Sequence, residues 1–542
     1  MNNNIKLEKC FLSKYNWICL KIYLEISKLL LKVRQAKVKI QKVLFPLLLL
    51  YLLLLSACNL IQDRTTVITQ IEISKLHPTD LLPIASQIAK VTLLPSQQNL
   101  PYLLKKASLY KIKVILADDY KSLNGSESIQ YTNNENTDLT EIYLQLFPNS
   151  FGPYLKIQRA AINDVVIQPV LEFKDTAARF YLEQPLKPDE TLQLQLDYSL
   201  QVPTDFQFSY GLFVYADRIL SLYQFIPLIP VFNEHGWQVS EPIIMGDLTF
   251  NDPSFFDVQV DAPGSLVIAA SGKRISQNLE NGRRNENYLA GPVRDFYLAG
   301  SPYYKISTVK WQDVTINSYA FKENQTGSDL VLATARHALE IFSNEFGSYP
   351  YTELDLVSAP MHNALGMEYS GIGALSIDLY ESLAGTENRN NLEFTAAHEI
   401  AHQWFFNIIG SDQVDEPWLD EGMAQFATGL YIQQTHGNYV GNQYRLSWQQ
   451  RWQRIQSQPI PIGLPVFAYT EEQYSPIIYG RAPLFIQSLM EKLGRNTFSD
   501  FLHTYYQKFQ WGIVTTAAFR QTVEEICACS LESQFKDWVY PK

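Results

Sequence analysis

The stretch His398-Glu399-Ile400-Ala401-His402, followed after a gap of eighteen residues by Glu421 in Trp418-Leu419-Asp420-Glu421-Gly422, decides how this chain is read. Two residues four apart on a helix share one face, about one turn from each other. Both imidazoles can therefore reach a single metal ion, and a carboxylate from a second helix can close the third side. Three protein ligands with a fourth position left to water is the pattern of a catalytic rather than a structural zinc, one Zn2+ per chain. Glu399 stands next to the first ligand, placed to take the proton of that water. The surroundings fit a helix: 391–407 has neither Gly nor Pro, and Leu392, Ala396, Ile400 and Phe406 can bury beside the histidines. The pattern predicts one continuous helix through Asn407.

At 542 residues the chain is long enough for two or three domains, and 46% apolar with 18% charged residues is a globular composition. Residues 1–57 carry ten Lys/Arg against two Glu, so about −19 falls on the rest of a chain whose total is −11. An acidic body argues against nucleic acid as a partner. Lys32, Arg34, Lys37, Lys39 and Lys42 precede an apolar run from Val43 to Leu55. That run is too short to span a bilayer comfortably but suits the core of a signal peptide. It ends in Leu55-Ser56-Ala57-Cys58, which resembles a bacterial lipobox. The expectation is a leader over 1–57 and a lipidated Cys58 at the extracytoplasmic face of a bacterial membrane; a plain anchor with an incidental Cys is the alternative. Beyond the leader only Cys58, Cys527 and Cys529 remain, which excludes a disulfide framework. Cys527 and Cys529 stand too close in sequence to expect a relaxed bridge, and read as small residues in a helix.

Residues 58–107 read as a tether and a weakly structured approach. From about 108 strand signals dominate: Leu192, Leu194 and Leu196 alternate with polar residues, as do Ile142 and Leu144, and Phe256, Val258 and Val260. Asn124-Gly125 and Asn281-Gly282 read as turns between strands. The interval 108–301 is thus an antiparallel β domain of packed sheets. The character changes at 302: a strand over 314–321, a helix from about Asp329 to Glu345 stopped by Gly347 and Pro350, and a strand over 353–359. Helices dominate thereafter, so 302–542 is a mixed, mainly helical domain. The fold class is α+β, without internal repeats.

With these residues placed, the chain resembles the M1 family of zinc aminopeptidases. The family signature is His-Glu-x-x-His, eighteen residues, then Glu, as here. Its upstream Gly-x-Met-Glu-Asn segment is matched by Gly366-Met367-Glu368, and its Tyr-x-Lys-Gly segment by Tyr479-Gly480-Arg481. Tyr474 occupies a second tyrosine position five residues earlier, and Phe346-Gly347-Ser348-Tyr349-Pro350-Tyr351 also looks like the family's. The likeness is strong over about 330–495 and looser over 105–310. It implies a thermolysin-like catalytic domain, with His398, His402 and Glu421 on zinc, Glu399 as general base and Tyr479 as donor to the developing oxyanion. It also implies that Glu368 pairs with the α-amino group of a peptide substrate, with Gly366 and Met367 beside it and Tyr474 as a further contact. Departures are Tyr369 for Asn, Asp420 for Asn, Arg481-Ala482 for Lys-Gly, and the absence of an acidic Pro-rich grip on the substrate amine. The chain also ends about 60 residues after Tyr479, short of the helical domain of longer members, which implies an open cleft. The other histidines (His77, His235, His337, His362, His436 and His503) lack ligand spacing and read as surface or packing residues. The function expected is a zinc-dependent aminopeptidase; the alternatives are a zinc endopeptidase of the same fold and a non-catalytic binding lipoprotein.

Overall fold

The computed structural model describes residues 81–541, apart from 207, 208, 240, 242–244, 248, 249, 363, 382 and 384. The leader over 1–57, Cys58, His77 and the tether up to residue 80 lie outside the described residues. Within them no helix is long and apolar enough to cross a membrane.

The first half is built on an eight-stranded sheet. Its strand Thr191–Gln201 shows the expected period of two: Leu192, Leu194, Leu196, Tyr198 and Leu200 are buried and their neighbours partly wet. It pairs antiparallel with Ser122–Thr132, Ile129 opposite Leu194. A four-stranded sheet, a three-stranded sheet and a two-stranded ribbon, Phe232–Asn233 with Gly236–Trp237, accompany it among the described residues. One expectation needs amending: Leu109–Leu116 runs parallel to Ser254–Pro263, so the large sheet is mixed. Asn281 and Gly282 do make a tight turn, both at positive φ, as a two-residue hairpin with right-handed strand twist requires. Asn124-Gly125 does not. It lies inside the strand Ser122–Thr132, where a Cβ on Gly125 would fall 2.1 Å from the Tyr198 ring. The glycine is there for a close approach, not for a turn.

The approach segment also differs from its reading. Leu81–Thr92 is a helix whose Ala85, Ile88 and Ala89 are buried against the large sheet. Thr92 Oγ1 donates to the Gly291 carbonyl at 2.9 Å, and Leu94 N donates to Pro350 O at 2.8 Å. Apolar spacing at 84, 85, 88 and 89 carries this helix; the prolines around it obscured the pattern.

The second half begins with a five-stranded sheet in the order Tyr304–Trp311, Val314–Phe321, Glu353–Ala359, Ile372–Ser376, Gly366–Tyr369. Two of these strands have the bounds read from sequence. The crossover between them is the helix Gln325–Glu345, which starts four residues earlier than expected and stops before Gly347 as expected. Among the described residues Gly366–Tyr369 is an edge strand, paired only with Ile372–Ser376. The helix Thr386–Ala401 lies across these two strands.

That helix does not continue to Asn407. After Ala401 the chain forms a wide turn over Gln403–Ile408, with Asn407 N bonded to His402 O. Side-chain burial overrides the helical sequence here. Trp404 packs on Phe342 and Tyr349 and donates Nε1–H to Gly347 O at 2.8 Å, while Phe405 packs edge-on against Phe346. The aromatic segment 346–351 thus locks the end of the histidine helix. The buried Arg294 holds the far side of the turn, donating to the carbonyls of Asn407, Asn251 and Gly512 at 2.6 to 3.0 Å.

Cys527 and Cys529 form a disulfide, contrary to expectation. Cys527 ends the helix Thr516–Cys527 and Ala528 takes the left-handed conformation, which folds the chain back and brings the two Cα atoms to 5.1 Å. That separation is ordinary for a bridge.

Candidate active site

Local structure places each group. The helix Thr386–Ala401 and its C-terminal cap His402, still in helical conformation, put His398 and His402 on one face, one turn apart. Glu421 opens the helix Glu421–Gln453, so its side chain leaves the first turn toward the histidines. Tyr479 lies on a wide turn, Ile477–Arg481, between the helices Glu471–Pro476 and Ala482–Leu493. Thr470 starts that corner with a capping box to Gln473. Arg481 fixes its end by donating to the carbonyls of Ile460, Trp538 and Asp537. Where the family pattern has Lys, the guanidinium serves as a three-way strut, stacked on Trp538.

The three donor atoms converge. His398 Nε2 lies 3.1 Å from His402 Nε2 and 3.1 Å from Glu421 Oε2, and His402 Nε2 lies 3.7 Å from the same oxygen. Ligands of a tetrahedral zinc with bonds of about 2.0–2.1 Å stand about 3.3 Å apart. The donor set and its spacing therefore fit that ion. His402 is held for the role: its Nδ1–H donates to Asp420 Oδ1 at 2.6 Å, which leaves Nε2 as the free lone pair.

Glu399 is buried in the same cluster, and its Oε2 has no protein partner among the described residues. Glu368 lies on the edge strand. Its carboxylate, with Glu399 and His402, forms a group whose ligand atoms all fall within 4.8 Å of one another. The Tyr479 hydroxyl donates to Glu421 Oε1. Tyr474 is buried, packs edge-on against Tyr479 with centroids 6.1 Å apart, and has no hydroxyl partner among the described residues. Gly366 sits directly over Glu399: a Cβ there would fall 2.2 Å from Glu399 Oε1. Met367 is half-buried and packs against the cluster around Tyr369, which itself stacks on Tyr297 at 3.7 Å. All nine residues singled out from sequence thus lie on this cluster or on the elements that flank it. Away from it, His362 bridges Asp217 and Asp378, His436 meets Glu393, and His503 meets the Asn344 carbonyl.

Two buried residues escaped the sequence reading. Asp247, from the first half of the chain, has its carboxyl in hydrogen-bonding range of Glu421. Gln413 donates to Glu368 Oε1 at 2.8 Å and to Asp420 Oδ2. Neither has a spacing signal, because each meets the site only through folding.

Five carboxyls are therefore buried together: Asp247, Glu368, Glu399, Asp420 and Glu421. Among the described residues no Lys or Arg pairs with any of them. Burial pushes the pKa values of Asp247, Glu368, Glu399 and Glu421 above the usual carboxylate range. His402 is pulled two ways. Burial opposes its charge, yet Asp420, Glu368 and Glu421 outweigh burial and hold its pKa well above the ordinary value. A buried concentration of acid on this scale is stabilised by cations. The chemistry it fits is a divalent ion at the His/His/Glu face and an ammonium group near Glu368.

Comparison with known proteins agrees with this geometry. Residues 331–538 match the Peptidase family M1 domain. The chain is 25% identical over 294 residues to Aminopeptidase M1-B of Oryza sativa subsp. japonica, covering 51% of this chain and 33% of that protein. It is 24% identical over 297 residues to Endoplasmic reticulum aminopeptidase 1 of Homo sapiens, covering 51% and 31%. The chain thus spans about a third of the length of these curated relatives. Among solved structures, the M1 zinc metallopeptidase from Deinococcus radiodurans superposes with a TM-score of 0.61 at 21% identity, over 81% of this chain and 95% of that one. A mutant of that protein bound to a Tyr-Ser-Ala substrate superposes with a TM-score of 0.60, at 21% identity over 81% and 95%. The two-part architecture, β-rich then mainly helical, is therefore the fold of that metallopeptidase.

Proposed function

We propose that this chain, which carries a peptidase family M1 domain over residues 331–538, is a zinc-dependent aminopeptidase that removes N-terminal residues from peptides. The observation that carries the reading is the position of Glu368: a buried carboxylate on an open sheet edge, clustered with Glu399 and His402.

His398, His402 and Glu421 would hold the zinc. When bound, the ion would supply Lewis-acid polarisation of the scissile carbonyl and an acidified water. Every other step belongs to the chain. Glu368 pairs with the substrate α-ammonium, and the edge strand Gly366–Tyr369 pairs with the substrate backbone. Together they set the register, so that the first peptide bond lies over the histidines. Glu399 takes the proton of the attacking water on the unpartnered Oε2 and passes it to the leaving amine as the C–N bond breaks. Tyr479, already beside the third ligand, turns its O–H to the developing oxyanion. Gly366, Met367 and Tyr474 line the approach.

Amino-acid arylamides assayed beside their N-acetylated forms test the reading, with zinc content measured on the same protein. Cleavage confined to free-amine substrates is expected. Equal cleavage of both forms would make the protein an endopeptidase, and zinc-loaded protein inert to both would make it a binding protein. Export is a separate part of the proposal: the basic stretch, the apolar run 43–55 and Cys58 support a lipoprotein held at the extracytoplasmic face of a bacterial membrane. Fatty-acid labelling that persists in Cys58→Ser would remove it.

A further inference from the structure

Gln413 lies between the amine anchor and the metal site. It is 2% exposed, and its side-chain nitrogen donates one hydrogen to Glu368 Oε1 at 2.8 Å and the other to Asp420 Oδ2. Asp420, 1% exposed, takes the Nδ1–H of His402 on its other oxygen at 2.6 Å. A continuous chain of hydrogen bonds therefore runs Glu368–Gln413–Asp420–His402, wholly inside the protein. One amide group satisfies two buried carboxylates that would otherwise face each other without a donor between them. Asp420 is what makes this possible. With Asn at 420, as in the family pattern, an amide accepting from His402 would turn its own NH2 toward Gln413, donor against donor.

From this juxtaposition we infer that Gln413 is a positioning residue for substrate selection. It fixes the Glu368 carboxylate relative to the ligand His402, so that the distance from substrate ammonium to metal is set by one rigid polar chain. The inference rests on the aminopeptidase reading and goes beyond it, because it names the residue that holds the amine anchor in register. Among the described residues Gly366–Tyr369 is an edge strand with a strand partner on one side, and Gln403 Nε2–H holds the Tyr369 carbonyl at 2.9 Å; these contacts fix the backbone, while the Glu368 carboxylate itself is fixed by Gln413. Gln413 reaches it from the segment between the two helices that carry the zinc ligands, and thereby ties the sheet edge to the metal site.

The test uses the whole chain with zinc bound. Gln413→Met keeps length and volume but removes both donors. Losing a bond to a charged group corresponds to about a ten- to hundredfold change. KM for a free-amine arylamide should rise by that factor with kcat changing less. The Ki of a free amino acid should rise in parallel while that of its N-acetyl form stays put. Zinc affinity, read by chelator competition without any turnover, should move less than about threefold, because Asp420 still orients His402. Asp420→Asn should lower the same discrimination, and the double variant should be no worse than Gln413→Met, since both break one chain. Discrimination preserved in Gln413→Met, or effects that add in the double variant, overturns the inference alone. A wild-type protein that never prefers the free amine overturns it together with the aminopeptidase reading.

Discussion

Gly366→Ala probes the fit between the substrate edge and the general base. An alanine Cβ at this position would stand 2.2 Å from Glu399 Oε1, 2.6 Å from its Cδ and 2.8 Å from its Cγ. Carbon atoms prefer separations of about 3.5–4.0 Å, so something must move by roughly an ångström. Glu399 is seated on this sheet through a second glycine on the neighbouring strand: a Cβ on Gly373 would stand 3.1 Å from Glu399 Cβ. The cheap response is rotation of the carboxylate off its place beside His402. A misplacement of about 1 Å at a reacting group costs about a hundredfold, and loss of a general base costs about 10²–10⁴. We expect kcat on a free-amine arylamide to fall by about 10²–10⁴, with KM nearly unchanged and zinc retained. If the edge strand moved instead, Glu368 would go with it and KM would rise as well. Steady-state kinetics with metal analysis separates the two. A variant with kcat/KM within about threefold of wild type, at unchanged zinc content and Tm, would refute the argument that Gly366 is required by its contact with the base.

Tyr479→Phe removes one oxyanion donor and should lower kcat by about 10²–10³ with zinc content unchanged; a loss confined to KM would assign Tyr479 to substrate binding instead. Arg481→Ala strips the donor from three carbonyls, two of them on the C-terminal helix segment, and should cost on the order of 3–5 kcal/mol. Arg481→Lys should recover only part of that, since an ammonium lacks the fork; equal Tm for the Lys and wild-type forms would count against the strut. Glu127, wholly buried in the first half with neither oxygen partnered among the described residues, has its pKa pushed well above 4.5 by burial. The folded state therefore keeps a proton that the unfolded chain releases. Its pH-dependent cost is nil below pH 4.5 and grows by about 1.4 kcal/mol per pH unit above it, until the folded pKa is passed. Glu127→Gln, which cannot ionise, should gain Tm over wild type between pH 5 and 8, and Tm curves that stay parallel across that range would contradict it.

The metal cluster was legible because it is largely local. His398 and His402 are linked by helical geometry, and Glu421 by a gap that one turn and a second helix can span. The strands at 191–201, 314–321 and 353–359 were legible for the same reason, since burial of one face writes itself into alternate residues. Contacts between distant segments left no such trace. A glycine at 125 means a turn or a close approach with equal ease, and the Tyr198 ring across the sheet decided which. The run 391–407 satisfies every local rule for a helix, yet aromatic packing from 342–351 and the reach of Arg294 stop it at 401. Asp247 and Gln413 carry no periodicity at all. They join the site only because the fold brings the first half of the chain, a sheet edge and two helices to one buried point. Sequence determined which residues have the chemistry to hold an ion and move a proton. Tertiary structure decided what stands around them, because the energy of a buried charge depends on its neighbours in space and not on those along the chain.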